Sequence, residues 1–351
     1  MPWWLRIGRG TSDILSCAVF SRSVQVLLCP RSAIASQAVE IEVETLAAQS
    51  ASTPATRWNK VVQFPLVRIL LASFMVILAA IATQKLILLL VPSQGRSVTR
   101  IATLISIVAV YGAYCAYVRL VEKRAVAEFS NGGALTEFGA GVLIGTLLFS
   151  STIGVLWAIG SYRVTGTAPA ASIIGPLIGA MLAGVAEEIV FRGIVFRIVE
   201  QSLGTWLAML ISAVLFGFIH LISPHATLVG AISIIFEAGI LLAAAYTATR
   251  RLWLPIGLHM AWNFMQGGIF GVAVSGTPAK GLLQGTLSGP EWLSGGAFGA
   301  EASVVAIAIC LIAALALIAW TVRRNQIVKP FWHRLSAPAK DSFAPTPVEE
   351  R

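Results

Sequence analysis

Charged side chains are scarce in this chain. Of its 351 residues only 12% are Asp, Glu, Lys or Arg, whereas 57% are hydrophobic. A soluble domain carries about a quarter charged residues, so this deficit excludes an ordinary soluble globular protein. Aspartate is absent between Asp13 and Asp341, which is almost the whole length of the chain. The composition therefore predicts a protein that lies mostly in lipid.

Cysteine is also rare, and its spacing excludes two further classes of protein. The four cysteines (Cys17, Cys29, Cys115 and Cys310) form no CxxC pair, so we expect neither a disulfide framework nor a cysteine metal site. The net charge is +9, but the basic residues fall between apolar runs and form no basic-aromatic patch. Nucleic acid is therefore not an expected partner, whereas the lipid bilayer is.

Long apolar runs indicate the fold class, because a membrane-spanning helix needs about 20 mostly apolar residues. We predict an all-α, polytopic transmembrane helical bundle with about eight spans. The predicted spans lie near 66–91, 101–119, 138–160, 172–199, 205–222, 228–248, 254–273 and 302–321. Residues 1–60 are predicted to be a poorly ordered cytoplasmic arm, 61–325 the transmembrane domain, and 326–351 a disordered cytoplasmic tail.

The distribution of lysine and arginine predicts the orientation of these spans. The segments predicted to face outward hold only Arg96, Arg100, Arg163 and Lys280, and the other interspan segments hold more basic residues. Because cytoplasmic loops are enriched in Lys and Arg, both termini are expected in the cytoplasm. No eukaryotic retention signal is present at the end of the sequence, which favours a bacterial inner (plasma) membrane. No pattern in the sequence predicts an oligomeric state.

Two adjacent glutamates stand inside a predicted span. A charge at the centre of a bilayer costs at least about 2.5–3.5 kcal/mol on insertion scales, so such residues are functional candidates. Glu188 and Arg192 are four residues apart and share one helix face, which predicts an ion pair that braces the site. Glu187 is rotated by about 100° and has no cation nearby in sequence, which suits a general base. A purely structural ion-pair cluster is the alternative.

His220, on the next predicted helix, is expected to lie at the same depth in the membrane as Glu187. From Glu187 the chain runs about 16 residues to a turn near Leu203-Gly204, then about 15 residues back to His220, and each climb is roughly 23 Å. Glu187 and His220 are therefore predicted to meet. The alternative is that His220 is only a packing residue.

A third element carries His259 and Asn263, which are four residues apart on one face. Both can donate hydrogen bonds, as an oxyanion requires. If their helix begins near Leu254, however, His259 lies closer to the cytoplasmic side than His220, so a tilted or re-entrant helix would be needed. Glu237, also inside a predicted span, could tune the site or pair with an arginine.

Three motifs together resemble a known family. EExxxR (Glu187, Glu188, Arg192), FxxxH (Phe216, His220) and HxxxN (His259, Asn263) occur in this order in apolar runs. They are similar to those of the CAAX-protease and bacteriocin-processing (CPBP, Abi-type) intramembrane endopeptidases, with a matching core at about 170–275. The resemblance implies that Glu187 and His220 activate a water, that His259 and Asn263 stabilise the oxyanion, and that Glu188 and Arg192 hold the site together.

The resemblance leaves the cofactor open, because the family is commonly labelled metalloprotease while a metal-free mechanism is also proposed for it. Glu187, His220 and His259 match a hydrolytic zinc site in residue type, but HExxH spacing is absent, and we prefer metal-free water activation. The predicted function is an intramembrane endopeptidase acting on a peptide or membrane-protein substrate, with a polar cavity open toward the cytoplasm. The alternatives are a non-catalytic protein of the same fold, such as a bacteriocin-immunity or assembly factor, and a proton-coupled transporter.

Overall fold

The computed structural model describes residues 61–91 and 95–335, and helices dominate this part of the chain. Six of them are long and apolar enough to cross a membrane. They are Pro65–Leu90, Arg96–Leu120, Ala134–Ala158, Ala170–Ile222, Leu228–Thr249 and Val304–Arg323. The predicted all-α, polytopic membrane fold is confirmed, and the protein is an integral membrane protein. The predicted N-terminal arm, 1–60, lies outside the described residues.

The first three of these helices, α1 (Pro65–Leu90), α2 (Arg96–Leu120) and α3 (Ala134–Ala158), have the bounds expected of single spans. Proline stands at the start of α1, where its missing N–H costs no hydrogen bond. Gly133, with φ of 79°, precedes α3. Between α2 and α3 lies only a short 3₁₀ turn, Ala127–Phe129.

The 53-residue stretch Ala170–Ile222 is a helical hairpin and not one long span. It consists of a 3₁₀ turn (Ala170–Ile173), α4 (Ile174–Glu188), a π-helical segment (Ile189–Phe196), α5 (Arg197–Ile219) and a 3₁₀ turn (His220–Ile222). Gly204 interrupts α5 with φ of 78° and ψ of 173°, a conformation open to glycine. The chain folds back there, and the Ser212 hydroxyl donates to the Phe191 carbonyl at 2.9 Å. The predicted turn at 203–204 is therefore present.

The remaining spans follow in order. One comprises α6 (Leu228–Ile234), a π segment (Ile235–Gly239) and α7 (Ile240–Thr249), and the next comprises α8 (Trp253–Asn263) and a π segment (Phe264–Ile269). This α8 unit has 17 residues and is not among the six candidate spans, although a helix was predicted at 254–273. The final span is α10 (Val304–Arg323), whose first turn is capped by the Ser303 hydroxyl, which accepts from the Ala306 N–H at 3.1 Å.

A small sheet, absent from the prediction, joins the loops at one end of the bundle. Strand β1 (Tyr162–Thr167) pairs antiparallel with β2 (Leu283–Leu287), with Tyr162 opposite Leu287. The short helix α9 (Glu291–Ser294) and a 3₁₀ turn, Ala300–Ala302, follow β2. Two strands separated by about 115 residues give no local pattern, since each is short and partly exposed, which is why the sequence did not predict them.

The opposite end of the bundle is held by ion pairs, and we call it the arginine-rich end. Glu122, just after α2, accepts hydrogen bonds from Arg68 of α1 at 2.6 Å, Arg124 at 2.7 Å and Arg197 of α5 at 2.8 Å. Burial by itself would raise the pKa of Glu122, but Arg197 and the other two guanidinium groups lower it to about 2. This carboxylate therefore ties α1, α2 and α5 together.

The start predicted for the disordered tail, residue 326, is too early in the chain. Helix α11 (Phe331–Leu335) follows α10, and the Val328 carbonyl accepts from the Thr205 N–H at 3.0 Å. Gly204 allows this contact, because a Cβ there would lie 2.7 Å from the Val328 oxygen. Residues 326–335 thus pack against the hairpin turn, and 336–351 lie outside the described residues.

Candidate active site

Three helices around the site contain a π-helical segment. These segments follow Glu188 in the hairpin, include Glu237 in the next span, and begin directly after Asn263. A π turn inserts one residue into a helix and re-aims the side chains around it, and such turns are frequent at functional sites. The local backbone is therefore irregular where the chemistry-bearing residues stand.

Glu188 is the buried centre of the cluster. Its side chain is fully buried, and its Oε1 accepts from Arg192 Nη1 at 2.8 Å and from His259 Nδ1 at 2.9 Å. Arg192 also donates to the Gly239 carbonyl at 3.1 Å, and its guanidinium lies 4.5 Å from the centre of the Phe216 ring. The pair predicted from i,i+4 spacing is present, and it links α4 to the span of α7 and to α8.

Glu187 points into the open part of the site. Its Oε2 lies 4.0 Å from His220 Nε2 and 3.9 Å from His259 Nε2. Its side chain is 33% exposed, whereas the histidine side chains are 11% and 6% exposed. The Glu187 side chain is thus partly exposed, but its Oε2 is buried without a hydrogen-bond partner in the described part of the chain and is flanked by two largely buried imidazoles.

Hydrogen bonds at Nδ1 orient both imidazoles. His220 Nδ1 lies 2.7 Å from the Phe216 carbonyl oxygen, which can only accept, so this nitrogen carries the proton. His259 Nδ1 donates to Glu188 in the same way. Both Nε2 atoms are thereby directed toward Glu187, as second-shell partners orient functional histidines elsewhere. Phe216 packs edge-on against both rings, with centroids 4.9 and 5.8 Å away, which accounts for the phenylalanine in the FxxxH motif.

The expected depth mismatch of His259 does not keep this residue from the site. Helix α8 starts directly after Arg251 at the arginine-rich end, with Leu252 fully buried and its N–H bonded to the Glu128 carbonyl at 2.9 Å. His259 nevertheless lies beside the site, with its Nε2 3.9 Å from Glu187 Oε2. Asn263 follows one turn later and lies on the wall of the same site.

Two large cavities meet at Glu187 and His220. A polar cleft of about 570 Å³ is lined by Glu187, His220, Asn263 and the loop around Ser275 and Lys280. An apolar groove of about 350 Å³ runs from the same two residues along α1, past Val76 and Ala80. The site thus borders a cleft with polar side chains in its walls on one side and an apolar groove on the other.

The polar cleft does not open where the sequence predicted. Its wall on α4 is formed by Pro176, Gly179, Ala183 and Glu187, which lead from the site toward the start of that helix. The start of α4 lies at the end of the bundle opposite to Arg197 and the arginine-rich end. The expectation that the cavity opens toward the end predicted to be cytoplasmic is therefore wrong, because the loop 274–280 and not the basic loops form its rim.

Two further carboxyl groups face a small cavity of about 20 Å³ behind His259 and Asn263. Glu237 does not pair with an arginine in the described part of the chain, and its Oε1 lies 3.7 Å from Cys310 Sγ. Glu301, fully buried in the turn before α10, accepts from the Ser275 N–H. Burial raises the pKa of Glu301 to about 7. Sequence reasoning missed Glu301, because its partners come from distant segments and no local motif marks it.

The candidate metal ligands match a zinc site in type but not in spacing. With bonds of about 2.0–2.1 Å, a tetrahedral zinc would hold two ligand atoms roughly 3.3 Å apart. Glu187 Oε2 lies 3.9 and 4.0 Å from the two Nε2 atoms. Within 61–91 and 95–335, no group of three His, Cys, Asp or Glu side chains is arranged to hold a metal ion. The distances from Glu187 Oε2 to the two Nε2 atoms are therefore longer than a tetrahedral zinc site requires.

Comparison with known proteins agrees with the motifs. Residues 169–265 match the family described as type II CAAX prenyl endopeptidase Rce1-like, and this segment contains all six candidate site residues. Over 127 residues the chain is 31% identical to "Putative membrane peptidase YdiL" of Bacillus subtilis (strain 168), which covers 36% of this chain and 44% of that protein. The chain thus spans less than half the length of this relative. No solved structure matches. The resemblance to the CAAX-protease family is confirmed over the segment that carries its motifs.

Proposed function

We propose that this protein is a CAAX-protease-like intramembrane endopeptidase in which Glu187 and His220 activate a water. The observation that carries this proposal is the position of Glu187 Oε2, about 4 Å from both Nε2 atoms, where the polar cleft meets the apolar groove. A water placed between Glu187 and His220 can hydrogen-bond to both, because that separation leaves room for one bridging molecule.

The proposed reaction is hydrolysis of a peptide bond. Glu187 takes a proton from the water as general base, the hydroxide attacks the carbonyl carbon, and Glu187 returns the proton to the leaving amine. His220, fixed by its bond to the Phe216 carbonyl, holds the water through Nε2. The overall proton count is unchanged, and no further reactant is required.

The oxyanion is assigned to His259 and Asn263. Since His259 Nδ1 already donates to Glu188, the ring can donate from Nε2 only as an imidazolium. In that form the charges of the cluster balance, with two carboxylates against Arg192 and His259. Asn263 would supply the second donor from its amide, one helical turn along α8.

The substrate is proposed to be a peptide or membrane protein with an apolar segment. The groove along α1 is lined by Val76, Ile77, Ala80 and Ile81, and it ends at Glu187 and His220. An apolar stretch of substrate in this groove would present its neighbouring peptide bond to the water. We further propose a bacterial inner membrane with the arginine-rich end, and both termini, in the cytoplasm, as the positive-inside rule favours.

The test is a comparison of membrane and secreted peptides by mass spectrometry in cells expressing the wild type or Glu187→Gln. Glu291→Gln, on the exposed helix α9, is the matched control. Cleavage products present with the wild type and the control, and absent with Glu187→Gln, support a peptidase. If peptide patterns are identical in all three while a cellular phenotype survives in Glu187→Gln, the protein acts without catalysis.

A further inference from the structure

The two ends of the bundle carry different amounts of positive charge. The arginine-rich end gathers basic residues from the ends of four helices and from the loops beside them. They are Arg68, Arg119, Lys123, Arg124, Arg197, Arg250, Arg251, Arg323, Arg324 and Lys329. The opposite end carries about half as many, at Lys85, Arg96, Arg100, Arg163 and Lys280. Short loops rich in Lys and Arg stay on the cytoplasmic side during insertion, so the arginine-rich end is the cytoplasmic one.

Ion pairs show that these basic residues share one end in three dimensions as well as in sequence. Arg197 and Arg68 meet at Glu122, Arg250 pairs with Glu200, and Arg251 pairs with Glu137 in the first turn of α3. These contacts join the start of α1, the end of α2, the start of α3, the hairpin turn and the end of α7. If the arginine-rich end faces the cytoplasm, the opposite end of the bundle therefore faces outward.

Between Glu187 and the arginine-rich end, the interior of the bundle is closed. Glu188 and Arg192 are fully buried, and the next turns of the hairpin place Ile194, Phe196 and Ile198 at 0% exposure. These side chains fill the interior between the site and the ion pairs around Glu122. This stretch of the hairpin is therefore packed with buried side chains, unlike the walls of the polar cleft.

Between Glu187 and the end of the bundle opposite to the arginine-rich end, the polar cleft is open. Pro176, Gly179, Ala183 and Glu187 lie three or four residues apart on one face of α4, which at 1.5 Å per residue extends roughly 16 Å. Gly267 continues the opposite wall beyond Asn263, and the exposed Lys280 stands at the rim. Small residues on both walls leave room for an extended chain.

From this geometry and charge distribution we propose that the active site is served from the extracytoplasmic face. The substrate class is then a peptide segment exposed on, or embedded just below, that face, such as part of an exported or membrane-anchored protein. A soluble cytoplasmic peptide would not reach Glu187. The substrate class rests on the proposed function, but the direction in which the cleft opens can be tested without catalysis.

The test is cysteine labelling in a variant whose four native cysteines are replaced by alanine. Single cysteines are introduced as Ala183→Cys, one turn from Glu187 inside the cleft, and Thr277→Cys on its exposed rim. Arg323→Cys, exposed at the end of α10, is the matched control at the arginine-rich end. Each is treated with a membrane-impermeant maleimide in right-side-out spheroplasts and in inside-out vesicles.

We expect Ala183→Cys and Thr277→Cys to be labelled in spheroplasts, and Arg323→Cys only in inside-out vesicles. Labelling of Ala183→Cys only in inside-out vesicles would overturn the proposal, and so would its protection in both preparations while Thr277→Cys reacts in spheroplasts. Adding Glu187→Gln to each variant should leave the labelling unchanged. A correct labelling pattern without any peptide cleavage would refute the peptidase and leave the direction of the opening intact.

Discussion

The contact between α3 and α8 makes a sharp prediction, because α8 carries His259 and Asn263. A Cβ on Gly145 would lie 2.4 Å from the Leu258 carbonyl oxygen and 3.0 Å from the Ala261 Cβ. The first of these atoms belongs to the backbone, so it cannot rotate away. Gly145→Ala should therefore force the two helices apart.

The magnitude follows from the overlap. A carbon and an oxygen need at least about 3.2 Å, so α8 must move by roughly 0.8 Å, and overpacking of this kind costs typically about 1–3 kcal/mol. A displacement near 1 Å of groups around a reacting bond can lower a rate by about 100-fold. We expect Gly145→Ala to lower both the stability and the cleavage rate, because His259 directly follows the displaced Leu258.

The assay compares Gly145→Ala with Gly154→Ala on the same helix. A Cβ on Gly154 would meet nothing within 4 Å, so the control adds the same methyl group without a clash. Unfolding in detergent micelles should show a lower midpoint for Gly145→Ala only, and cleavage of a substrate found in cells should fall for that variant only. Equal midpoints for the two variants would refute the argument that a close backbone approach positions α8.

Four further predictions concern charge and metal. Arg192→Met removes the arginine partner of the buried Glu188 and should cost about 3–5 kcal/mol, measured by unfolding in mixed micelles. The double variant with Glu188→Gln should cost less than Arg192→Met alone, and a larger loss would contradict the ion-pair reasoning. Because the pKa of Glu122 is lowered to about 2, its contribution to stability should persist at neutral pH and disappear as the pH falls from 4.5 toward 2. The unfolding midpoints of the wild type and Glu122→Gln should converge over this pH range. A difference between the two midpoints that does not change with pH would contradict this role of Glu122. The raised pKa of Glu301, about 7, acts in the opposite sense: stability should fall as pH rises from 4.5 through 7, by up to roughly 3 kcal/mol, and Glu301→Gln should abolish this loss in a pH series of unfolding midpoints. Finally, a chelator should leave cleavage unchanged if water is activated without a metal; inhibition that zinc reverses would overturn that preference.

Local spacing determined part of the site. Glu188 and Arg192 pair because a helix brings residues four apart close together, and the π-helical segment that contains Arg192 preserves this contact. His220 meets Glu187 because Gly204 permits a turn at nearly equal distances from both. These two relations depend on helix geometry alone, so the sequence was sufficient to predict them.

Other features depended on where helices begin and how they pack. The expected depth mismatch of His259 does not keep it from the site, because packing of α8 brings its Nε2 to 3.9 Å from Glu187 Oε2. Glu301 reaches the site through a turn that folds back over Ser275, about 26 residues earlier in the chain. Contacts of this kind are long-range, and no periodicity within a segment records them.

The sequence by itself determined that this chain crosses a membrane, which residues carry charge into it, and which end of each helix is basic. Only the tertiary structure decided that Glu187 lies between the polar cleft and the apolar groove, and that the cleft opens away from the arginine-rich end. The physical reason is that apolar content and i,i+4 spacing act along one helix, whereas a cavity exists only where several helices leave space between them.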